Sequence, residues 1–434
     1  MNSARVLFVV RKIYLTVTVA VCFCVPQVYA EALPDPLTLS QALLYATAGH
    51  PNLSLADAQL EYAVSRKLQV DTINNVDAYI ELAPYAAIPS TGEDFTNDSY
   101  VRLSVSKTLY DFGYSNSLES SADEDISSQQ LLASATRNQQ YITIMQRYFN
   151  VLIADLHFAA IDEEMTSRYV KYDKLLERHT LGMISDDVLM TAESIYRKAA
   201  DRRKASEKNQ FSSRQRLAIA LNTPENIPAN LVRPQLPQLD HAIPELDDLF
   251  NKAMAGNLTI AALHHAVLAD KAALEAADQE YGPTLLAGLE VNRYERELRG
   301  RNDASVGFSF RVPFANGNRT QAKTARIVSE LSASQARHDQ AKYALRQQLS
   351  DLVSRLEVLK FKRQSDKQRL DSRAITVDTN RARYELEMQT TLGNSMAGYT
   401  EAEWQSAKND FEVATIWAQI DTLLGKKLYQ KQDD

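Results

Sequence analysis

The chain has few residues that break helices and almost none that cross-link. Its only cysteines, Cys22 and Cys24, fall in the first 30 residues, so the remainder has no disulfide, thiol nucleophile or thiolate metal ligand. Proline and glycine number 13 each in 434 residues. No proline occurs between Pro89 and Pro224 or after Pro313, and five crowd into the 21 residues from Pro224 to Pro244. Proline inside a helix costs about 3 kcal/mol, so the long proline-free tracts suit long helices. There is no P-loop and no GxGxxG, and the chain does not supply its own energy. A net charge of −7 argues against a nucleic-acid binder, which carries a clustered basic patch. The seven histidines show no metal-ligand spacing: His264 and His265 are adjacent and diverge on a helix, and no HExxH occurs. Gly393-Asn394-Ser395-Met396-Ala397 lacks the closing glycine and preceding strand of a nucleophile elbow. No convergent acid, base or nucleophile set points to an enzyme, and no catalytic, cofactor or metal residue is assigned. After residue 30 no apolar run approaches 18 residues, which leaves strands as the only route into a membrane.

Residues 1–30 read as a secretory signal peptide. Arg5, Arg11 and Lys12 form a positive n-region, Ile13 to Val25 an apolar h-region, and Val28-Tyr29-Ala30 a small-residue cleavage pattern. Val21 and Phe23 precede the cysteines where a lipoprotein signal wants a small residue. Cleavage after Ala30 removes three cations and no acid, taking the charge from −7 to −10.

The proline-rich stretch 222–244 separates two similar halves, 31–221 and 245–428, with a short tail at 429–434. Each half opens with a short amphipathic helix, Leu39 to Leu43 or Pro244 to Phe250, and passes an Asn-Leu pair, Asn52-Leu53 or Asn257-Leu258. An alanine-rich helix, two alternating segments, a turn and a very long helical tract follow. Gly113 and Gly317 are 204 positions apart, as are Tyr110 and Phe314.

The alternating segments read as strands. Val306, Phe308, Phe310 and Val312 alternate with small or polar residues, as Val101, Leu103 and Val105 do in the first half. Asp77 to Ala83 and Leu285 to Asn292 are their expected partners. One greasy and one wet face suits a transmembrane barrel with a watery lumen, and equally a soluble sheet over its own core.

From Gly113 to Leu181 runs a proline-free tract of 69 residues, about 100 Å if helical. It carries a stripe Ile142, Met145, Phe149, Leu152, Leu156, Ala159 and a second, Tyr141, Ile144, Tyr148, Val151, Asp155, Phe158. Two adjacent stripes describe a helix gripped on both sides, as in a ring or sheet of helices. Leu345, Leu349, Leu352, Leu356 and Leu359 form a single seam in the second half. Trp404 and Trp417 read as packing residues.

These features resemble the TolC family of outer-membrane channels. The resemblance spans roughly residues 37–428. It is carried by the repeat, the junctions Leu109-Tyr110-Asp111-Phe112-Gly113 and Val312-Pro313-Phe314-Ala315-Asn316-Gly317, and the hairpin Arg178-His179-Thr180-Leu181-Gly182-Met183-Ile184-Ser185-Asp186-Asp187. It implies a mainly α chain with a small β part. Long helical hairpins would form a trimeric α-barrel in the periplasm, and four strands per protomer a 12-stranded barrel in the outer membrane. Val101, Leu103, Val105, Val306, Phe308, Phe310 and Val312 would face lipid, with Gly113, Pro313 and Gly317 at the strand-to-helix junctions. The expected partners are two further copies, a periplasmic adaptor and an inner-membrane efflux pump or ABC exporter. The expected function is a passive exit duct for efflux or type I secretion.

Family members often constrict the tunnel with acidic rings at the second hairpin, and here the pattern departs. Tyr384 to Gly398 is several residues longer and has no aspartate. Asp186, Asp187, Glu385, Glu387 and Glu401 are the constriction candidates, although the helix dipole alone favours acids in a first helical turn. The alternative reading is a soluble periplasmic coiled-coil adaptor or scaffold, which the duplicated strands argue against. The cargo is set by pump and adaptor and is not written in this chain.

Overall fold

Each half of the chain contributes one helix of 67 residues, α3 (Tyr114–Thr180) and α7 (Arg319–Glu385). At 1.5 Å per residue each runs about 100 Å. In the computed structural model, residues 33–45, 49–88, 94–295, 301–386 and 392–426 are described. The signal-peptide expectation with Cys22 and Cys24, candidate Glu387 and the 429–434 tail fall outside them. Residues from Pro34 onward form one unit.

In the first half α1 (Leu39–Leu44) and α2 (Pro51–Asp71) lead into β1 (Asp77–Ala83). A short ribbon, β2 (Ala86–Ala87) with β3 (Thr96–Asn97), precedes β4 (Tyr100–Tyr110), which feeds α3 and then α4 (Asp186–Ala220). The second half repeats the order. It runs α5 (Leu246–Gly256), α6 (Leu258–Gln279), β5 (Thr284–Tyr294), β6 (Ala304–Arg311), α7 and α8 (Leu392–Leu423). The alternation therefore marks strands where expected, but the loop over 85–99, uninformative in sequence, holds an additional ribbon.

Helix α3 is the spine. It packs on α2 and α6 toward the strands and on α4 and α8 toward the hairpin, while α7 lies beyond α6 and α8. Both of its stripes are buried through Leu152 apart from half-buried Met145, as a helix with neighbours on two sides requires. Ala159, the last residue of the first stripe, is exposed, and Ala160 and Ile161 are buried instead. A straight helix drifts about 20° per heptad against a 3.5-residue repeat, which moves the buried line by one position. Asp155, the acidic interruption, is answered by α4. The Arg214 guanidinium donates to both its oxygens at 2.6 and 2.9 Å, and Gln210 Nε2 donates at 2.8 Å. In the second half Leu356 and Leu359 of α7 meet Val413, Ile416, Trp417 and Ile420 of α8, with Leu249 of α5 closing the cluster.

The stretch between the halves is placed by main-chain pairing. Leu37 and Leu231 form a parallel bridge, with Leu37 N donating to Asn230 O and Val232 N to Leu37 O. The Tyr148 hydroxyl lies 2.8 Å from Leu37 O and 2.6 Å from Val232 O, fastening this bridge to the spine.

The companion of each spine is interrupted. Helix α8 ends where α6 begins, and Asn257 stands between them: its Nδ2 donates to Leu423 O at 3.0 Å and its Oδ1 accepts from Ile260 N at 3.0 Å. The end of α4 also meets the start of α2, where Asn222 Nδ2 donates to Gly49 O at 3.3 Å.

A candidate conduit surface

Four antiparallel strands form one sheet in the order β1-β4-β5-β6. Its register aligns Ile80 with Leu103 and Leu103 with Val291, and Val105 with Leu289 and Leu289 with Val306. Phe308 lies opposite Ala287 and Phe310 opposite Leu285. Directly opposed residues share a face, so Val101, Leu103, Val105, Val306, Phe308 and Phe310 fall on one apolar surface. No described residue covers it: Val306 is 84% and Phe308 77% exposed. Val312 lies just past β6 and is also exposed.

The other face is polar and carries an ion cluster. Arg102 Nη1 donates to Glu81 Oε2 at 3.2 Å, its Nε donates to Asn292 Oδ1 at 3.2 Å, and the same Nε lies 3.4 Å from Glu290 Oε1. Alternation indicates that these side chains face the wet side, but not that three strands bring them together. Above them Arg301 Nη2 donates to buried Asp98 Oδ2 at 2.8 Å, with the guanidinium stacked on Tyr294.

Each β4-to-α3 and β6-to-α7 turn needs left-handed backbone. Gly113 has φ of +104° and Gly317 +58°, with Asn318 at +64°. Pro313 lies two residues past Arg311, the last of β6, where its missing N–H keeps the ladder from resuming. The first turn has a cap that the sequence did not disclose. Asp111 accepts from Ser115 N at 3.0 Å, Gly113 N at 3.3 Å and Asn74 Nδ2 at 3.0 Å. Burial pushes the Asp111 carboxyl up, but these donors outweigh it and hold its pKa below the ordinary value.

At the far end Asp186 and Asp187 open α4, both exposed. Asp186 Oδ1 lies 2.6 Å from His179 Nε2 across the hairpin turn, and Asp187 accepts from the Ser185 hydroxyl, which lowers its pKa. Glu385 is the last residue of α7 and exposed. Glu401 lies nine residues into α8 and lines a hollow with His157. The four described candidates therefore divide between hairpin end and helix wall rather than meeting in one protomer.

The concave side of the helix layer holds hollows at successive levels. The one nearest the strands, of about 850 Å³, is lined by the acids Asp125, Asp270 and Glu330 and the cations Arg66, Lys323, Arg326 and Arg337. The next, about 430 Å³, is an uncharged belt lined by Asn52, Asn138, Gln139, Gln140, Asn257 and Gln348. Each combines residues of α2 with residues of α7, the outer members of the layer, so both open on its inner side. Among the described residues no helix is long and apolar enough to cross a membrane, and no group of three or more metal-ligand side chains converges.

Residues 249–426 match the family model described as "Outer membrane efflux protein". No curated protein matches the chain in sequence. Solved structures match over nearly its whole length. The Campylobacter jejuni CmeC outer membrane channel is 13% identical, covering 89% of this chain and 85% of its own, with a TM-score of 0.73. The Vibrio cholerae outer membrane protein VceC is 14% identical over 90% and 97%, with 0.70. The open state of the Neisseria gonorrhoeae MtrE outer membrane channel is 16% identical over 89% of each chain, with 0.69. The fold is thus that of the outer-membrane efflux channels. The chain shares this fold with them across both repeats, and residues 249–426, within its second repeat, match the outer membrane efflux protein family in sequence.

Proposed function

We propose that the chain is one protomer of a homotrimeric exit duct, passing cargo passively from a periplasmic adaptor and an inner-membrane pump or ABC exporter to the outside. One observation carries this: an uncovered apolar face on a four-stranded sheet whose outer strands, β1 and β6, each have one free edge. An open edge cannot face lipid, and four strands are too few to close, so β6 of one copy pairs with β1 of the next; the family resemblance sets the number of copies at three, which makes 12 strands. Val101, Leu103, Val105, Val306, Phe308, Phe310 and Val312 then face lipid, and the Arg102 cluster faces the lumen. Cysteines introduced on β1 and β6 should cross-link to trimers in outer membranes, and the purified protein should conduct in planar bilayers. Recovery as a soluble periplasmic monomer would overturn the proposal.

The resemblance's acidic gate is carried here by the hairpin acids. Charge reversal of Asp186, Asp187 and Glu385 should lower cation selectivity, measured as a shift in reversal potential under a salt gradient. Unchanged selectivity in all of them, and in Glu387 and Glu401, would remove the acids as a constriction.

A further inference from the structure

Toward the hairpin the concave face changes character. His157, Ile161, Glu164 and Arg168 share one face of α3, and a cavity of about 600 Å³ opens around them. Helix α4 adds Arg202, α7 adds Arg373, and α8 adds Glu401 and Trp404. Three guanidiniums thus face two carboxylates. Arg202 Nη1 donates to Glu164 Oε2 at 2.7 Å and Arg168 Nη2 lies 4.0 Å from Glu164 Oε1, so two cations share one acid. Arg373 has no ion-pair partner among the described residues. Its Nη1 lies beside Gly398, where an added Cβ would sit 3.3 Å away.

The cavity also has an aromatic side. Trp404 packs on His157 with ring centroids 4.4 Å apart, and its Nε1–H is buried with no hydrogen-bond partner. Burial lowers the His157 pKa, and the positive field of Arg202 and Lys408 lowers it further against the pull of Glu401. The imidazole is therefore neutral near pH 7, a flat ring beside a cationic rim.

We propose that this cavity binds organic anions. A flat hydrophobic body would lie on Trp404, His157 and Ile161, and a carboxylate or sulfonate would take Arg373 and Arg168. Guanidinium forks match such groups in geometry and are weakly hydrated, which favours them over lysine in a partly enclosed site. The volume falls within the range of about 300–1,000 Å³ usual for small-molecule sites. In a chain of net charge −7, a concave basic cluster concentrates anions locally. The role in cargo transit rests on the exit-duct reading; the binding itself does not.

Pyrenetetrasulfonate binding to the purified full-length protein in uncharged detergent, followed by equilibrium dialysis, tests the site. One dye per protomer is expected. Arg373→Gln and Arg168→Gln should each raise Kd at least tenfold, and Arg373→Lys should do so less. Arg346→Gln, which touches Asp247 instead, should keep the unsubstituted affinity. No binding, or equal affinity in Arg373→Gln, would overturn the proposal. The dye absorbs where tryptophan emits, so in the unsubstituted chain bound dye must quench Trp404. Undiminished emission would overturn the site even if no variant folds. Failure to conduct in bilayers would sink the duct reading and leave this measurement intact.

Discussion

The Tyr148 hydroxyl lies beneath the two carbonyls it serves, Leu37 O and Val232 O, and burial pushes its pKa up to about 12. It joins three distant segments at one point. Tyr148→Phe should cost about 1 kcal/mol and speed proteolysis within 222–244, leaving the hairpin turn at Leu181 unaffected. Asp111 has a different job at the head of α3. Its folded pKa is depressed, so its contribution is present above the unfolded value of about 3.9 and is lost as pH falls through the folded value. Asp111→Asn should therefore lower the melting temperature at pH 7 by an amount equivalent to about 1 kcal/mol. The gap to the unsubstituted protein should close in melts taken at successively lower pH. A gap constant across that range would show that the carboxylate charge is not what caps the helix.

At the scale of elements, periodicity was readable and cross-chain pairing was not. The stripes of α3 and the alternation of β4 and β6 follow directly from 3.6- and 2-residue periods. Arg102, Glu81 and Glu290 meet only because β1, β4 and β5 adopt one register, and a lone Arg102 in sequence reads as a solvated charge. Arg168, Arg202 and Arg373 come from three helices and are equally silent until the layer curves. The duplication was visible, but not that its two turns differ in crowding. At Gly113 an added Cβ would lie 3.0 Å from Gln279 Oε1, whereas nothing lies within 4 Å at Gly317. Both have positive φ, so alanine at either should cost about 1–2 kcal/mol. Gly113→Ala should cost more and Gly317→Asn little, in denaturation followed by circular dichroism.

For the whole molecule, the proposed exit duct requires that the apolar side of the sheet face lipid. Phe308→Arg should cost about 2–4 kcal/mol if it lies near the bilayer midplane and should reduce trimer recovered from outer membranes. Ser309→Arg, one residue on and on the polar face, should leave recovery near normal; equal loss in both would contradict the assigned faces. Below the sheet, each repeat pairs a continuous helix with one cut in two, and Asn257 fills one cut. Its side-chain amide donates to Leu423 O at the end of α8 and accepts from Ile260 N in the first turn of α6, as a peptide unit would. The negative end of one helix therefore abuts the positive end of the next. Mechanically the broken companion can transmit axial thrust as an unbroken strut does. A push on the hairpin would reach the barrel along both members of each pair, not along α3 and α7 alone.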